Sequence, residues 1–414
     1  MSEISAELIS IGNELLAGYT VNTNVTFISQ QLKDIGISVK WITTIADEPD
    51  EIFDALQKAN QRANIVMTTG GLGQTPDDIT KATICTYFDT KLHQSHSVLK
   101  DLKKFIHDRN RSEKFLEINR GQALVPVDAQ IISNPIGTAP GLILKRDGSW
   151  FSFMPGVPRE MKAMVTNHFI PFLKTKFDLP KIKTEIMRTT GVPESKLYDI
   201  LKAEIEAYPQ FPVAFLPKQI GVDMRFRLMV TDSGIEKNWH GFIERIRIKA
   251  QKYIFTNDER NIEQVMVEML SSKKLTLAIV ESFTGGLIQD WITDVPGSSA
   301  IYNGGIVTYS NESKVEFTEV SQETLQKFGA VSEQTALEMV RGIQKRFNSD
   351  CAISTTGIAG PDGGSKEKPV GLCFVAARYK EKEFVRQFNF GTERRINKMR
   401  GAMTGMEMLR RLLV

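Results

Sequence analysis

The stretch Ile65–Gly73 reads IVMTTGGLG and decides the fold of the first part of the 414-residue chain. A short, largely apolar run that ends in glycines is typical of a buried strand followed by a loop. Two earlier runs, Ala6–Ile11 and Ile37–Ile45, have the same character, and helical patterns over 24–35 and from Pro49 onward separate the three. This alternation predicts a parallel sheet with helices on both faces.

Glycines and carboxylates follow these strands at their carboxyl ends, where parallel sheets bind ligands. Gly12–Glu14 follows the first strand, and GGLGQTPDDIT spans 70–80 after the third. Glycine backbone can approach a phosphate closely, and Asp77 and Asp78 could hold a divalent metal or cap the next helix. A glycine turn with an aspartate cap would explain the second loop alone. The carboxylate of Glu14 at the same edge favours a ligand site.

The middle of the chain has the pattern of a small α+β module. A strand over 183–190, helices over 193–207 and 235–254, and further strands over 213–216 and 222–230 are expected. In the last of these strands, Val222 to Val230 alternate with Asp223, Arg225 and Arg227, which predicts one buried and one solvated face. The module lacks a G-x-x-G loop of the kind that clamps nucleic acid, so no nucleic-acid partner is expected. We assign it a spacer or dimerisation role and expect a homodimer.

The last part of the chain contains a candidate nucleophile. An apolar run over Leu275–Val280 is followed by ESFTGG at 281–286. A serine at such a strand-to-helix turn can attack a carbonyl, and the glycines can donate amide N–H groups to an oxyanion. Alternatively, Ser282 or Thr284 caps the helix that follows. Two more loops rich in Gly, Ser and Thr, over 309–314 and 356–364, should meet the first at one sheet edge, which favours an active site.

A serine nucleophile needs a base, and histidine is not available nearby. The chain has five histidines, and none follows His240. The remaining choices are Lys, Tyr, Asp or Glu. Lys314 is a candidate if burial lowers its pKa, with Tyr309 five residues earlier as a possible relay; an ordinary exposed helix lysine is the alternative.

Composition excludes several other classes of protein. Lys and Arg total 52 against 49 Asp and Glu, a net charge of +3, so a dedicated nucleic-acid binder is not indicated. The three cysteines form no C-x-x-C pair, which argues against a zinc ribbon or a disulfide scaffold. The sequence has no apolar run of about 18–20 residues and no basic signal-peptide region at its start. We therefore expect a cytoplasmic protein without a membrane partner.

Four motifs of the first segment resemble the amino-terminal domain of the CinA family, the competence/damage-inducible protein A group. They are GNELLAGYTVNTN (12–24), GGLGQTPDDIT (70–80), NPIGTAPG (134–141) and MPGVPREM (154–161). The resemblance implies a fold like that of molybdopterin-binding domains, a KH-like middle domain, and hydrolysis of ADP-ribose to AMP and ribose 5-phosphate with a divalent metal. The positions that match the family's nucleotide-binding motif are Glu14, Asn24, Gly71, Gly73, Thr75 and Asp78, with Glu14 and Asp78 as metal ligands.

The last segment is similar to the CinA carboxy-terminal domain over about residues 262–413. It contains ESxTGG (281–286), PGSS (296–299), YxGGxVxYSNxxK (302–314), GAVSExxA (329–336) and TGIAGPDGGSxxKPVG (356–371). The resemblance implies metal-free deamidation of nicotinamide mononucleotide to nicotinate mononucleotide and ammonia. It makes Ser282 the nucleophile, Tyr309 and Lys314 the activating pair, Thr356 a pocket residue and Arg394 the phosphate ligand. Further substrate contacts are expected from Thr284, Gly285, Gly286 and Gly357, with Arg400 as the alternative arginine.

We therefore expect three domains: a molybdopterin-binding-like domain over 1–172, a KH-like linker over 173–258 and a deamidase domain over 259–414. The favoured function is a bifunctional enzyme of pyridine-nucleotide salvage. Two alternatives remain open: a non-enzymatic regulator associated with competence, and a molybdopterin-binding protein.

Overall fold

The structure is a computed structural model of the chain, and it describes residues 4–73, 80–218 and 221–414. The chain forms two compact units. The first comprises residues 1–183 and 229–231, and the second comprises residues 184–228 and 232–414. The division into three domains at 172 and 258 stays a prediction.

The first unit alternates strands and helices along the chain. Its strands are β1 (Ser5–Ile11), β2 (Ser38–Ile45), β3 (Ile65–Thr69), β4 (Leu92–Gln94), β5 (Leu124–Pro126), β6 (Gln130–Ile132), β7 (Gly141–Arg146) and β8 (Ser149–Met154). Its helices are α1 (Asn13–Leu16), α2 (Thr23–Asp34), α3 (Pro49–Arg62), α4 (Thr80–Phe88), α5 (His96–Asp108), α6 (Glu113–Asn119), α7 (Pro158–Met164) and α8 (Ile170–Lys176), with a 3-10 turn at Arg120–Ala123 and a π-helical turn at Val165–Phe169.

The main sheet of this unit has the strand order β2-β1-β3-β8-β7-β6. The central pairs, β1 with β2, β1 with β3 and β3 with β8, are parallel, which confirms the predicted α/β class. The other edge is antiparallel, because β7 and β8 form a hairpin across Asp147 and Gly148. Both turn residues have positive φ, as a type I′ hairpin turn requires, and Asp-Gly is a favoured sequence for that turn.

Both faces of this sheet are covered by apolar side chains, as is usual for a parallel sheet. Neighbouring residues of β1 belong to different cores: Leu8 packs in one apolar cluster, and Ile9 packs in the other. On β8 and its neighbour β7, Phe153 faces the same cluster as Ile9, and Ile143 faces the cluster of Leu8. The sheet edge at the carboxyl ends of β1 and β3 is thereby held in place by packing on two sides.

The second unit begins with the predicted α+β module. Its strands are β9 (Ile182–Thr189), β10 (Val213–Lys218), β11 (Gly221–Met229) and β12 (Ile254–Thr256), in the order β10-β11-β9-β12, and its helices are α9 (Glu194–Ala207) and α10 (Ser233–Ala250). Val222 and Met224 are buried as the alternation predicts. The expectation that Asp223 lies on a solvated face is wrong: Asp223 is buried, and the hydrogen bond that it accepts from Arg188 at 3.1 Å offsets the cost of that burial.

The rest of the second unit carries the candidate active site. Its strands are β13 (Leu277–Glu281), β14 (Tyr302–Val307), β15 (Cys351–Gly357), β16 (Leu372–Tyr379) and β17 (Lys382–Asn389). Its helices are α11 (Ile262–Lys273), α12 (Leu287–Thr293), α13 (Asn311–Thr318), α14 (Gln322–Phe328), α15 (Glu333–Phe347) and α16 (Arg394–Leu413), with a 3-10 turn at Ser298–Ala300.

The sheet of this part has the order β14-β13-β15-β16-β17. Since β13 is parallel to both β14 and β15, the carboxyl ends of these three strands lie at one edge. The predicted meeting of the three polar loops is therefore confirmed.

Within the described ranges of the chain, no helix is long and apolar enough to span a membrane.

Candidate functional site

Ser282 lies at the sharp turn that joins β13 to α12. Its amide N–H donates to the carbonyl of Thr355 on β15 at 2.9 Å, and the residue is 9% exposed. Gly285 and Gly286 follow with φ of 58° and 92°, a left-handed conformation that favours glycine. The two glycines allow the chain to reverse into α12 directly above the serine.

Lys314 is the hydrogen-bond partner of Ser282. Its Nζ lies 3.1 Å from Ser282 Oγ and donates to the Thr308 carbonyl at 2.7 Å. Ser310 caps α13 by accepting from the Ser313 amide, which fixes the start of the helix that carries the lysine. Lys314 is only 2% exposed, so the alternative of an exposed helix lysine is wrong. Burial lowers the pKa of its ammonium to about 8, so about a tenth of the amine is neutral at pH 7 and about half at pH 8.

Tyr309 and Arg394 form a second pair at the mouth of the site. The Arg394 guanidinium donates to the Tyr309 hydroxyl at 3.0 Å and to the Gly360 carbonyl at 2.7 Å. Tyr309 is 66% exposed, in contrast to the buried lysine. The structure thus places Tyr309 against Arg394 and leaves Lys314 as the residue that contacts Ser282.

The predicted threonines are buried and already hydrogen-bonded. The hydroxyls of Thr284 and Thr355 lie 2.7 Å apart, and the Thr356 hydroxyl donates to the Ala330 carbonyl at 2.6 Å. They hold the loops together at the edge of the sheet. Gly357 has no room for a side chain, since a Cβ there would lie 2.4 Å from the Leu372 carbonyl oxygen.

Arg400, the alternative arginine, has different surroundings. It donates to the Phe390 carbonyl at 2.6 Å and lines a cavity of about 550 Å³ in the second unit, together with Met403 and Arg411. Of the two arginines, Arg394 is the one that hydrogen-bonds to the predicted site residue Tyr309.

Sequence reasoning missed Glu281, which supports the turn. Its carboxylate is fully buried and accepts from the backbone N–H groups of Ile288 at 3.1 Å and Gln289 at 3.0 Å. Burial and this nearby carboxylate together raise the pKa of Tyr302 well above its usual value. The only sequence signal was a glutamate as the first letter of ESFTGG, where solvent exposure would be the usual expectation.

The first unit has a second candidate site. A cavity of about 560 Å³ lies at the carboxyl ends of β1 and β3, and its lining includes Glu14, Asn24, Gly71 and Gly73. Asn24 donates to the Gly156 carbonyl at 2.7 Å, while its buried Oδ1 accepts no hydrogen bond from any residue that the structure describes. A ligand donor would satisfy that oxygen. Thr75 and Asp78, the other two predicted residues, lie outside the described residues.

The donors of this cavity suit a hard cation. The carboxylates that line it belong to Glu14, Asp47 and Glu160, and oxygen ligands of this kind suit Mg²⁺ or Mn²⁺ rather than zinc. In the part of the chain that the structure describes, no group of three or more His, Cys, Asp or Glu side chains could hold a metal ion by itself. A cation held by Glu14 would take its remaining ligands from water or from a bound molecule, as Mg²⁺ commonly does.

Two family models match the chain. Residues 259–413 match the CinA C-terminal domain, and residues 7–175 match the "Probable molybdopterin binding domain". A protein of Caldicellulosiruptor saccharolyticus, provisionally named a competence-damage inducible protein, is 38% identical over 99% of both chains. One of Clostridium beijerinckii with the same name is 36% identical over 99% of this chain and 100% of its own.

A solved structure matches one part of the chain. The crystal structure of competence/damage inducible protein CihA from Agrobacterium tumefaciens is 37% identical, covers 37% of this chain and 96% of its own, and has a TM-score of 0.36.

Proposed function

This chain belongs to the competence-damage inducible protein (CinA) family, and from that premise we propose that its second unit hydrolyses the carboxamide of nicotinamide mononucleotide. The products are nicotinate mononucleotide and ammonia. The observation that carries the proposal is the buried contact of 3.1 Å between Lys314 Nζ and Ser282 Oγ. A neutral amine held beside a serine hydroxyl is a nucleophile with its general base.

The first step is attack by serine. The Ser282 hydroxyl gives its proton to neutral Lys314 Nζ, and Oγ forms a bond to the carboxamide carbon. The carbonyl π electrons move onto oxygen, which becomes an oxyanion. The amide N–H groups of Gly285 and Gly286 make no hydrogen bond to any described residue, so they are available to bind that oxyanion.

The second step releases ammonia and then the acid. The C–N bond breaks as the nitrogen takes the proton from the Lys314 ammonium, which leaves an ester on Ser282. Lys314 then takes a proton from water, whose oxygen attacks the ester carbon. The C–Oγ bond breaks, and Oγ recovers the proton from Lys314. Side chains and water account for every proton in this scheme.

The other end of the substrate carries a phosphate. The Arg394 guanidinium at the mouth of the site can bind two phosphate oxygens. Its hydrogen bonds to Tyr309 and Gly360 hold the guanidinium in place. Tyr309 in this arrangement positions the arginine.

For the first unit we propose hydrolysis of ADP-ribose to AMP and ribose 5-phosphate. The cavity at the carboxyl ends of β1 and β3, with the unsatisfied Oδ1 of Asn24, supports a nucleotide site. Glu14 would hold a divalent cation, which when bound neutralises pyrophosphate charge. The match to the molybdopterin-binding domain favours a second candidate for this unit, a pterin-binding role.

Two assays on the full chain test these proposals. Release of ammonia from nicotinamide mononucleotide should be lost in Ser282→Ala, and release of AMP from ADP-ribose should require a divalent metal and survive that substitution. Absence of both activities in the wild-type protein would instead favour a non-enzymatic regulatory role.

A further inference from the structure

A second cation, Lys398, lies beside the Ser282 turn. Lys398 is on α16 four residues after Arg394, so the two side chains share one face of the helix. A Cβ added to Gly285 would lie 3.2 Å from Lys398 Nζ and 3.6 Å from its Cε. The ammonium therefore lies against the glycine turn, at the same loop as the nucleophile.

The position of Lys398 is fixed by its neighbour in the chain. Asn397 is buried, and its amide donates to the carbonyls of Ala359 at 3.0 Å and Gly391 at 2.9 Å. These bonds set the rotation of α16 about its axis. As a result, Arg394 reaches the Gly360 carbonyl and Lys398 lies beside Gly285. The two side chains approach the site from one helix face but contact different loops.

The Lys398 ammonium lacks a counter-charge among the described residues of the chain. Over residues 4–73, 80–218 and 221–414, it has no hydrogen-bond or ion-pair partner, although the residue is half-buried. Like charges four residues apart on a helix also repel. A cation kept in this position without a partner is unfavourable for folding alone, and an anionic ligand would remove the penalty.

We propose that Lys398 is a specificity-determining residue that binds the substrate phosphate together with Arg394. The inference rests on the proposed deamidase function. A phosphate monoester carries a charge of about −1.5 to −2 at pH 7. Arg394 supplies one positive charge, and Lys398 supplies the second. The pair would select a phosphorylated nucleotide over the nucleoside that lacks the phosphate.

The test compares two substrates that differ in that group, nicotinamide mononucleotide and nicotinamide riboside. Lys398→Met should raise KM for the mononucleotide by about 10-fold to 100-fold, the loss expected for one charged hydrogen bond, with kcat within about twofold. The kcat/KM for the riboside should not change. Lys398→Arg keeps the charge and should restore most of the affinity, and Lys382→Met, at an exposed lysine of β17, is the matched control.

One kinetic result would overturn the proposal. If Lys398→Met lowered kcat equally for both substrates at unchanged KM, the ammonium would act on the oxyanion and not on the phosphate.

A binding measurement separates this inference from the deamidase proposal. Calorimetric titration with inorganic phosphate needs no turnover, so it applies even if the wild-type protein deamidates neither substrate. Phosphate binding that is about tenfold weaker in Lys398→Met than in wild type and Lys382→Met would support the phosphate site. Equal binding in all three proteins would contradict it.

Discussion

The Nζ of Lys314 lies 3.1 Å from the Oγ of Ser282, although 32 positions separate the two residues in sequence. The serine ends β13, and the lysine lies in the helix that follows β14. Because β13 and β14 are parallel neighbours, both loops emerge at the same sheet edge. Burial of the ammonium at that edge makes it a base near neutral pH, a task for which a serine hydrolase more often uses histidine.

The rate should depend on pH through Lys314. Burial lowers its pKa to about 8, and the neutral amine is the form that can accept the serine proton. We expect kcat/KM for deamidation to rise about tenfold per pH unit below pH 8 and to level off above it. Ammonia release between pH 6 and 9.5 measures this. Lys314→Arg, which stays protonated, should show almost no activity at any of these pH values. A flat wild-type profile would contradict lysine as the base.

Ser282 and Lys314 should behave as one catalytic unit. Either Ser282→Ala or Lys314→Ala should lower kcat by about a thousandfold or more, and the double variant should be no worse, because each removes the same step. Single-turnover ammonia release gives the comparison. Ser272→Ala, at an exposed serine near the end of α11, is the control. Multiplicative losses in the double variant would show that the two residues act separately.

Local sequence signals predicted a large part of this site, and tertiary packing decided the rest. The end of β13 and the glycine turn after Ser282 could be predicted, because apolar runs and pairs of glycines are local features of the sequence. Lys314 and Asp223 are buried beside partners that lie 32 and 35 positions away in sequence, so local patterns assign such residues to the surface. The pairing of Tyr309 with Arg394 spans 85 positions, and no local pattern encodes it.

Lys314→Met should make the protein more stable while it removes activity. A folded-state pKa of about 8, against 10.5 for an ordinary lysine, means that protonation favours the unfolded chain. The penalty is fully present below pH 8 and disappears as pH rises toward 10.5. It amounts to about 3 kcal/mol, from which lost hydrogen bonds to Ser282 and Thr308 subtract about 1–2 kcal/mol.

Calorimetric unfolding of the full chain at pH 7 and pH 9.5 tests this expectation. The variant's transition should be higher than that of wild type by a few degrees at pH 7 and by clearly less at pH 9.5. A variant that is less stable than wild type at pH 7 would show that burial of the ammonium carries no net cost.

Glu281→Gln should damage the turn that carries the nucleophile. The buried carboxylate accepts from two backbone N–H groups of α12, and an amide would turn a donor toward one of them. We expect a loss of about 1–3 kcal/mol of stability and a fall in kcat of about 10-fold to 100-fold with little change in KM. Steady-state deamidation and thermal unfolding give both values. Glu316→Gln, at an exposed glutamate of α13, should leave both unchanged, and an unaltered kcat in Glu281→Gln would mean that the turn keeps its shape without the carboxylate.

Changes at the site of the first unit should not affect the deamidase activity proposed for the second unit. Glu14→Gln removes a charged oxygen donor from the cavity of the first unit, and chelation by EDTA removes the cation that this carboxylate is proposed to hold. Either change should lower AMP release from ADP-ribose by about tenfold or more and leave ammonia release from nicotinamide mononucleotide unaltered, because the proposed deamidation uses no metal. Glu113→Gln, at an exposed glutamate that begins α6, is the matched control. Loss of deamidation on chelation would mean that the second unit uses a metal. If neither change lowered AMP release, Glu14 and the cation would have no part in the proposed hydrolysis.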